Sequence, residues 1–222
     1  MPDPPSALSG CASSNEAPSA ACTGWERYTN AAFAFSAMIA AMMRLVISPL
    51  AEWWTPVVIG VAAINGLIAV LFLIRRAVVA VGTFPQLASC LPTMIGFGLA
   101  VRLAPPPLLW PWLAHVLFAV GVVMTMTAFL SLGSSFGVLP ALRGVVVRGP
   151  YRLLRHPAYL GELLMALACF VAGPSMWALS AWLLLFPGVM WRILAEERVL
   201  SRHDAYGAYR RRVRWRLVPG LW

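Results

Sequence analysis

Lysine is absent from this 222-residue sequence, so all 17 of its basic side chains are arginines. Without lysine, chemistry that runs through a Schiff base or a lysine nucleophile is excluded. Charge is scarce as well: charged side chains make up 11% of the residues, against 60% that are hydrophobic, and the mean hydropathy is +0.77. One soluble core of ordinary composition does not hold that much apolar surface, so we expect the chain in a bilayer.

Closely spaced cysteines are also missing. The four cysteines, at positions 11, 22, 90 and 169, lie far apart, and none belongs to a Cys-x-x-Cys pair. This spacing argues against both a disulfide framework and a zinc site, so no metal is predicted.

The apolar runs predict an all-α integral membrane protein with about six transmembrane helices. Four runs are compared with the roughly 20 residues that cross about 30 Å of hydrocarbon: 31–48, 55–74, 84–104 and 109–132. The run 158–194 is too long for one span and is interrupted by a turn signal at 173–175, so it is predicted to form a helical hairpin. The count falls to five if the first helix lies only on the membrane surface.

Three regions follow from this pattern. Residues 1–24 are rich in Pro, Ser and Ala without hydrophobic periodicity, which predicts a disordered tail. Residues 25–132 hold transmembrane helices 1–4, and 133–222 hold the polar segments, the hairpin and a C-terminal segment. In that segment Tyr206 and Tyr209 recur with helical spacing, which predicts a helix that lies along the membrane surface or folds back over the loops.

The arginines predict the orientation of the chain, because cytoplasmic loops retain positive charge. With the N-terminus inside, 15 of the 17 arginines fall on the cytoplasmic side, and only Arg44 and Arg102 fall towards the outside. Both termini are therefore predicted to be cytoplasmic. Topology accounts for the net charge of +9, so no nucleic acid partner is needed.

Most polar side chains outside the tails lie in two segments, the first of which runs from Gly149 to Gly161. Proline at 157 disfavours helical backbone at His156, so the imidazole is predicted to lie in a loop at the start of the next helix. The free N–H groups of that helix N-terminus suit a polar or anionic ligand group. Tyr151, His156 and Tyr159 are thus presented together.

The second polar segment lies at the end of the last span. Arg192 and Glu196 are four residues apart and share one helix face, and Glu197 is adjacent. Because the hairpin 158–194 goes out and returns, its two ends meet at one membrane face, which predicts that His156 and Glu196 are neighbours. Aromatic rings suit a flat base, and carboxylates suit a ribose diol, an amine or a sulfonium. S-adenosylmethionine and an adenine dinucleotide both carry such groups, and residue types do not decide between them.

The order of these motifs resembles the isoprenylcysteine carboxyl methyltransferase family of integral-membrane methyltransferases. The resemblance covers roughly residues 130–219 and rests on the Leu-Gly-x-x-Phe segment at 132–136, the Gly-Pro-Tyr-Arg and Arg-His-Pro-Ala-Tyr-Leu-Gly segments at 149–152 and 155–161, Glu196-Glu197, and the later Tyr206, Tyr209, Val213, Arg216 and Pro219. It implies that 133–222 is a catalytic region with a cytosol-facing S-adenosylmethionine pocket, closed by the C-terminal segment. A tunnel into the lipid would admit a lipophilic acceptor.

The resemblance also assigns roles to residues. The implied cofactor contacts are Tyr151, His156, Pro157, Ala158, Tyr159 and Glu196, with the backbone of 143–146, including Val145 and Val146, closing the edge of the pocket. Arg192 matches the family's substrate-binding arginine. If the acceptor is an amine or a thiol, His156 or Glu197 becomes the candidate base.

The predicted function is therefore S-adenosylmethionine-dependent methyl transfer to a lipophilic or prenylated substrate from the bilayer, with the carboxylate of an isoprenylcysteine-like acceptor as the first choice. A carboxylate is already ionised at neutral pH, so it requires no base. The alternatives are a phospholipid amine or thiol acceptor, an NADPH-dependent reductase of the sterol reductase type, and a non-enzymatic scaffold or small transporter.

Overall fold

The computed structural model describes residues 24–75, 80–81, 84–137, 141–142, 145–202 and 204–222. Its helices are α1 (Gly24–Ile47), α2 (Pro56–Ile74), α3 (Phe84–Ala88), α4 (Cys90–Leu103), α5 (Trp112–Leu132), α6 (Pro157–Ala172), α7 (Met176–Leu200) and α8 (Asp204–Arg212). Two short strands, β1 (Ala80–Val81) and β2 (Ala141–Leu142), pair antiparallel. The predicted all-α fold is confirmed, with this strand pair as an addition. All but the last residue of the predicted tail lie outside the described residues.

Within the described residues, four helices are long and apolar enough to cross a membrane: α1, α2, α5 and α7. Two of the six predicted spans correspond to helices shorter than the roughly 20 residues that cross the hydrocarbon. The predicted span 84–104 is interrupted by a turn at Ser89, which leaves the 14-residue α4, and α6 has 16 residues. At 1.5 Å per residue these helices are about 21 and 24 Å long, against about 30 Å of hydrocarbon.

The predicted hairpin is confirmed. Helix α6 ends at Ala172, and α7 begins at Met176 after Ser175, whose side chain accepts a hydrogen bond from the Ala178 N–H at 3.1 Å. A serine before the first helical turn satisfies an N–H that has no partner within the helix. Because α7 continues to Leu200, it carries the second polar segment as an uninterrupted helix.

Small residues let the helices of the hairpin region approach closely. A Cβ added at Gly161 of α6 would lie 2.3 Å from Thr125 Oγ1 and 2.7 Å from the carbonyl oxygen of Gly121, both on α5. Helix α7 packs against α4 in the same way, with Gly96 against Leu185. Close backbone approach of this kind is how helices associate in membranes, where hydrophobic burial provides little driving force. This packing fixes the rotation of α6 and α7 and therefore the direction of their side chains.

The strand pair and the C-terminal segment mark the end of the bundle that carries the polar residues. Strand β1 follows α2 and β2 follows α5, so their pairing brings the ends of these two helices together. The N–H groups of Arg155 and His156 donate to the carbonyls of Trp215 and Arg216, each at 2.9 Å. The C-terminal segment is thereby attached to the loop that precedes α6.

The predicted C-terminal helix is confirmed as α8, and it folds back over the loops. Its Tyr206 and Tyr209 are buried with Val213, and Val145, Val147 and Leu200 pack against this cluster. Helix α8 therefore packs against the loop before α6 and against the end of α7, and it covers the end of the bundle that carries the polar residues.

Candidate functional site

The junction of loop and helix at His156-Pro157 has the predicted geometry. His156 has φ −130° and ψ 55°, outside the helical region, and Pro157 is the first residue of α6. The His156 imidazole is 5% exposed and stacks on the Tyr159 ring with a centroid distance of 5.8 Å. Proline has no N–H to satisfy at a first helical turn, which explains why the loop ends here.

The two ends of the hairpin meet, as the sequence predicts. The Tyr159 hydroxyl donates a short hydrogen bond to Glu196 Oε1, and the other oxygen of that carboxylate lies 3.8 Å from His156 Nδ1. Arg192 Nε lies 3.8 Å from Glu196 Oε1, and the guanidinium lies over the Tyr159 ring, 5.1 Å from its centroid. Four side chains from the two polar segments thus form one cluster.

Glu197, adjacent to Glu196, takes part in a second ion cluster, which adjoins the first because His156 Nε2 lies 3.5 Å from Glu197 Oε1. Its Oε1 accepts a hydrogen bond from Arg155 at 3.1 Å, and its Oε2 accepts two from Arg216, at 3.0 and 3.1 Å. Arg155 also donates to the carbonyls of Val213 and Arg210, at 2.7 and 3.1 Å. The three charged side chains therefore fasten the C-terminal segment to α7 and to the loop before α6.

A cavity of about 310 Å³ connects the cluster to the apolar interior. Its polar end is lined by Tyr151, Arg155, His156, Ala158, Tyr159, Glu196, Tyr206, Tyr209, Val145 and Val146, and its apolar walls include Ile64, Ile68, Phe97, Phe129 and Met165. Of the predicted cofactor contacts, Pro157 does not line this cavity, and neither does the predicted catalytic residue Glu197. Residues 143 and 144 of the predicted backbone edge lie outside the described residues. The role of each residue remains a prediction.

Two of the tyrosines at the polar end, Tyr159 and Tyr209, donate hydrogen bonds. Burial raises the pKa of Tyr209 to about 12, and its hydroxyl donates to the carbonyl of Tyr151 at 2.9 Å. Burial, with the charge of Glu196 as a smaller contribution, raises the pKa of the Tyr151 phenol above its ordinary value. Burial likewise raises the pKa of Tyr206. These hydroxyls keep their protons at neutral pH.

Sequence reasoning missed two polar residues of the site. Glu162 lines the cavity and lies one turn beyond Tyr159 on α6. It is the single acidic residue within the six predicted spans, and an ionisable residue inside a membrane helix is by itself a sign of function. Thr93 on α4 is fully buried and accepts a hydrogen bond from Arg192 NH1 at 2.9 Å. No local pattern in the sequence connects Thr93 to an arginine 99 positions away.

Comparison with known proteins gives a match in the part of the chain that carries the site. Residues 109–208 match the phospholipid methyltransferase family, and this segment contains the loop before α6, the hairpin and most of α8. This match lies in the part of the chain where the sequence predicts a resemblance to a family of integral-membrane methyltransferases. By length and composition, four of the chain's described helices are able to cross a membrane.

The solved structure of a eukaryotic intramembrane Ras methyltransferase, isoprenylcysteine carboxyl methyltransferase, is similar to this chain. The identity is 18% and the TM-score 0.39, over 86% of this chain and 75% of that protein. At this level of similarity no acceptor is transferred from one protein to the other. No protein of curated function matches the chain.

Proposed function

We propose that this protein transfers a methyl group from S-adenosylmethionine to a lipophilic acceptor taken from the bilayer. The observation that carries the proposal is the cavity, which joins the polar cluster at the hairpin ends to apolar side chains of α2, α4 and α5. The polar end of the cavity suits a polar cofactor, and its apolar walls suit a lipophilic acceptor. Because both ligands would share one cavity, their reacting atoms can be held in contact.

The residues at the polar end fit S-adenosylmethionine. One carboxylate oxygen of Glu196 accepts a hydrogen bond from Tyr159, and the other lies near His156. A carboxylate in this position suits a ribose diol or a cationic group. Aromatic rings at 151 and 159 suit a flat base. When bound, the cofactor supplies an electrophilic methyl group on a sulfonium, and the protein has to position the acceptor and exclude water. The C-terminal segment, fastened through Glu197, covers this end of the cavity.

Two acceptor chemistries have support within the cavity. Arg192 supports the carboxylate of an isoprenylcysteine-like substrate, because a guanidinium binds carboxylates through paired N–H groups. Glu162 supports a phospholipid or other lipophilic amine, because a carboxylate attracts a cation and accepts a proton. The site is proposed to face the cytoplasm, as the arginine distribution predicts.

Ligand-induced stabilisation of the detergent-solubilised protein tests the cofactor assignment. S-adenosylhomocysteine at 100 times its Kd is expected to stabilise the folded protein by about 2.7 kcal/mol, which raises the Tm, whereas NADPH is expected to leave it unchanged. Glu196→Gln should weaken the effect of S-adenosylhomocysteine. The control Glu52→Gln alters a carboxylate in the turn before α2, and the response should persist. A Tm shift with NADPH alone would contradict the proposal and favour a reductase.

The bond formed identifies the acceptor class. Membrane lipid incubated with the protein and methyl-labelled S-adenosylmethionine should become labelled, and brief alkaline hydrolysis should release methanol from a methyl ester but leave an N-methyl group in place. Absence of any labelled lipid, from protein that S-adenosylhomocysteine stabilises, would contradict a lipophilic acceptor.

A further inference from the structure

Glu162 differs from the other two glutamates near the cavity. Glu196 is bonded to Tyr159 and Glu197 to two arginines, whereas Glu162 makes no hydrogen bond or ion pair with any residue that the structure describes. It lines the cavity on the same face of α6 as Tyr159 and Met165. Its side chain is partly exposed and lines the cavity, so a ligand bound there can reach the carboxylate. An ionisable side chain within a membrane helix, with no partner from the protein, is a sign of function.

The charges around Glu162 favour a cationic or proton-donating ligand. The titratable groups that act on it are Tyr159 on its own helix, Cys90 on α4, and Arg192 and Glu196 on α7. Arg192 is the single cation in this set, and it faces two carboxylates. Its NH1 is directed to Thr93 and its Nε lies nearest to Glu196. A third carboxylate from an acceptor would add to this negative excess, whereas a protonated amine would offset it.

Resting on the methyl transfer proposed above, we propose that Glu162 is the base that takes a proton from a protonated lipophilic amine acceptor. The carboxylate of Glu162 removes one proton from the ammonium group, which leaves a neutral amine with a free electron pair. That pair forms the new N–C bond to the methyl carbon as the C–S bond breaks and its electrons remain on sulfur. The product is an N-methylated ammonium, and Glu162 later releases its proton to water.

The other candidate bases are placed differently. Glu197 does not line the cavity and holds Arg155 and Arg216. His156 stacks on Tyr159 at the polar end, beside the two glutamates of α7. Glu162 lies one helical turn closer to the apolar walls, where the head group of a lipophilic acceptor would enter. The position of Glu162 in the cavity and its lack of a hydrogen-bond partner among the described residues therefore both favour Glu162 as the base.

The test uses two acceptors that differ in the head group: oleylamine and oleic acid, each in phosphatidylcholine nanodiscs with the full-length protein and methyl-labelled S-adenosylmethionine. We expect label on oleylamine, stable to alkali. Glu162→Gln, which keeps the size of the side chain and removes its basicity, should lower kcat for oleylamine at pH 7 by about 100-fold or more. Stabilisation by S-adenosylhomocysteine should persist, and the control Glu52→Gln should retain wild-type kcat.

A pH series separates a base from a merely structural residue. Below the pKa of the amine, the neutral fraction rises about tenfold per pH unit. The rate of Glu162→Gln should therefore rise by about that factor per unit, and the defect relative to wild type should shrink between pH 7 and 9. A defect of constant size over this range would assign Glu162 a structural role.

The remaining outcomes of these experiments also decide whether the proposal holds. Label on oleic acid instead of oleylamine, or full oleylamine activity in Glu162→Gln, would overturn the proposal. So would transfer to neither acceptor by protein that S-adenosylhomocysteine stabilises, and so would loss of that stabilisation in Glu162→Gln. Wild-type protein that S-adenosylhomocysteine does not stabilise would instead overturn the proposed function.

Discussion

The substitution Glu197→Gln tests whether Glu197 has a structural role or a catalytic one. The side chain is 9% exposed and accepts three hydrogen bonds from Arg155 and Arg216. Glutamine keeps the shape but removes the charge, and it turns one accepting oxygen into a donor that faces a guanidinium. Two arginines then lose their counter-charge at the point where the C-terminal segment joins the bundle.

The expected size of the effect follows from these contacts. Breaking a buried ion pair costs about 3–5 kcal/mol, and the lower end applies here because the Arg216 side chain is 24% exposed. About 3 kcal/mol corresponds to about a 100-fold change in the equilibrium between the attached and detached segment. Since the cavity loses its cover only in the detached state, we expect the Kd of S-adenosylhomocysteine to rise by about 10- to 100-fold.

Titration calorimetry at 25 °C measures this Kd, and trypsin reports detachment because α8 ends in three consecutive arginines. Cleavage there should be faster in Glu197→Gln. Asp204→Asn, an equal loss of charge at the start of α8, is the matched control and should leave both readouts unchanged. A Kd within threefold of wild type with unchanged cleavage would refute the reasoning, and a fall in kcat alone would support the catalytic role that the sequence predicts for Glu197.

Three further outcomes are expected. Thr93→Val should destabilise the protein by about 1.5–3 kcal/mol, seen as a lower Tm in detergent, because it removes the hydroxyl that accepts a hydrogen bond from the buried Arg192 guanidinium, whereas Thr93→Ser should keep the wild-type Tm; an unchanged Tm in Thr93→Val would contradict this contact. Gly161→Ala should destabilise the protein by about 1–3 kcal/mol, seen as a lower Tm in detergent, whereas Gly66→Ala, with nothing within 4 Å of the new Cβ, should not; equal Tm values would contradict the packing. Because the pKa of Tyr209 is raised to about 12, the folded state holds its proton more tightly than the unfolded state, so wild-type stability should fall from pH 10 to 12 and that of Tyr209→Phe should fall less.

Local features of the sequence were sufficient for much of the fold. The turn at Gly173 and the start of α6 at Pro157 were predictable because these residues act on their immediate backbone neighbours. The break at Ser89 was not, because the residues around it are apolar enough to continue a span and a hydropathy pattern does not record a turn. The span 84–104 was therefore predicted to be longer than the helix that the structure shows.

The site was predictable only in part, because some of its contacts join residues that are far apart in the sequence. His156 and Glu196 lie at the two ends of a helical hairpin, and both ends of a hairpin are at the same face of the membrane. Their proximity could therefore be predicted from the hairpin alone. The partners of Glu197 lie 42 and 19 positions away, and the contact of Thr93 with Arg192 spans 99 positions. Contacts of this range depend on how helices pack, which no local pattern encodes.

The sequence by itself determined the membrane helices, the loop at His156 and the shared helix face of Arg192 and Glu196. Only the tertiary structure decided what each glutamate of the adjacent pair does. Neighbouring residues on an α-helix point about 100° apart, so one rotation of α7 turns Glu196 into the cavity and Glu197 towards Arg155 and Arg216. That rotation is set by the packing of α7 against α4 and α6, through residues far from the pair in sequence.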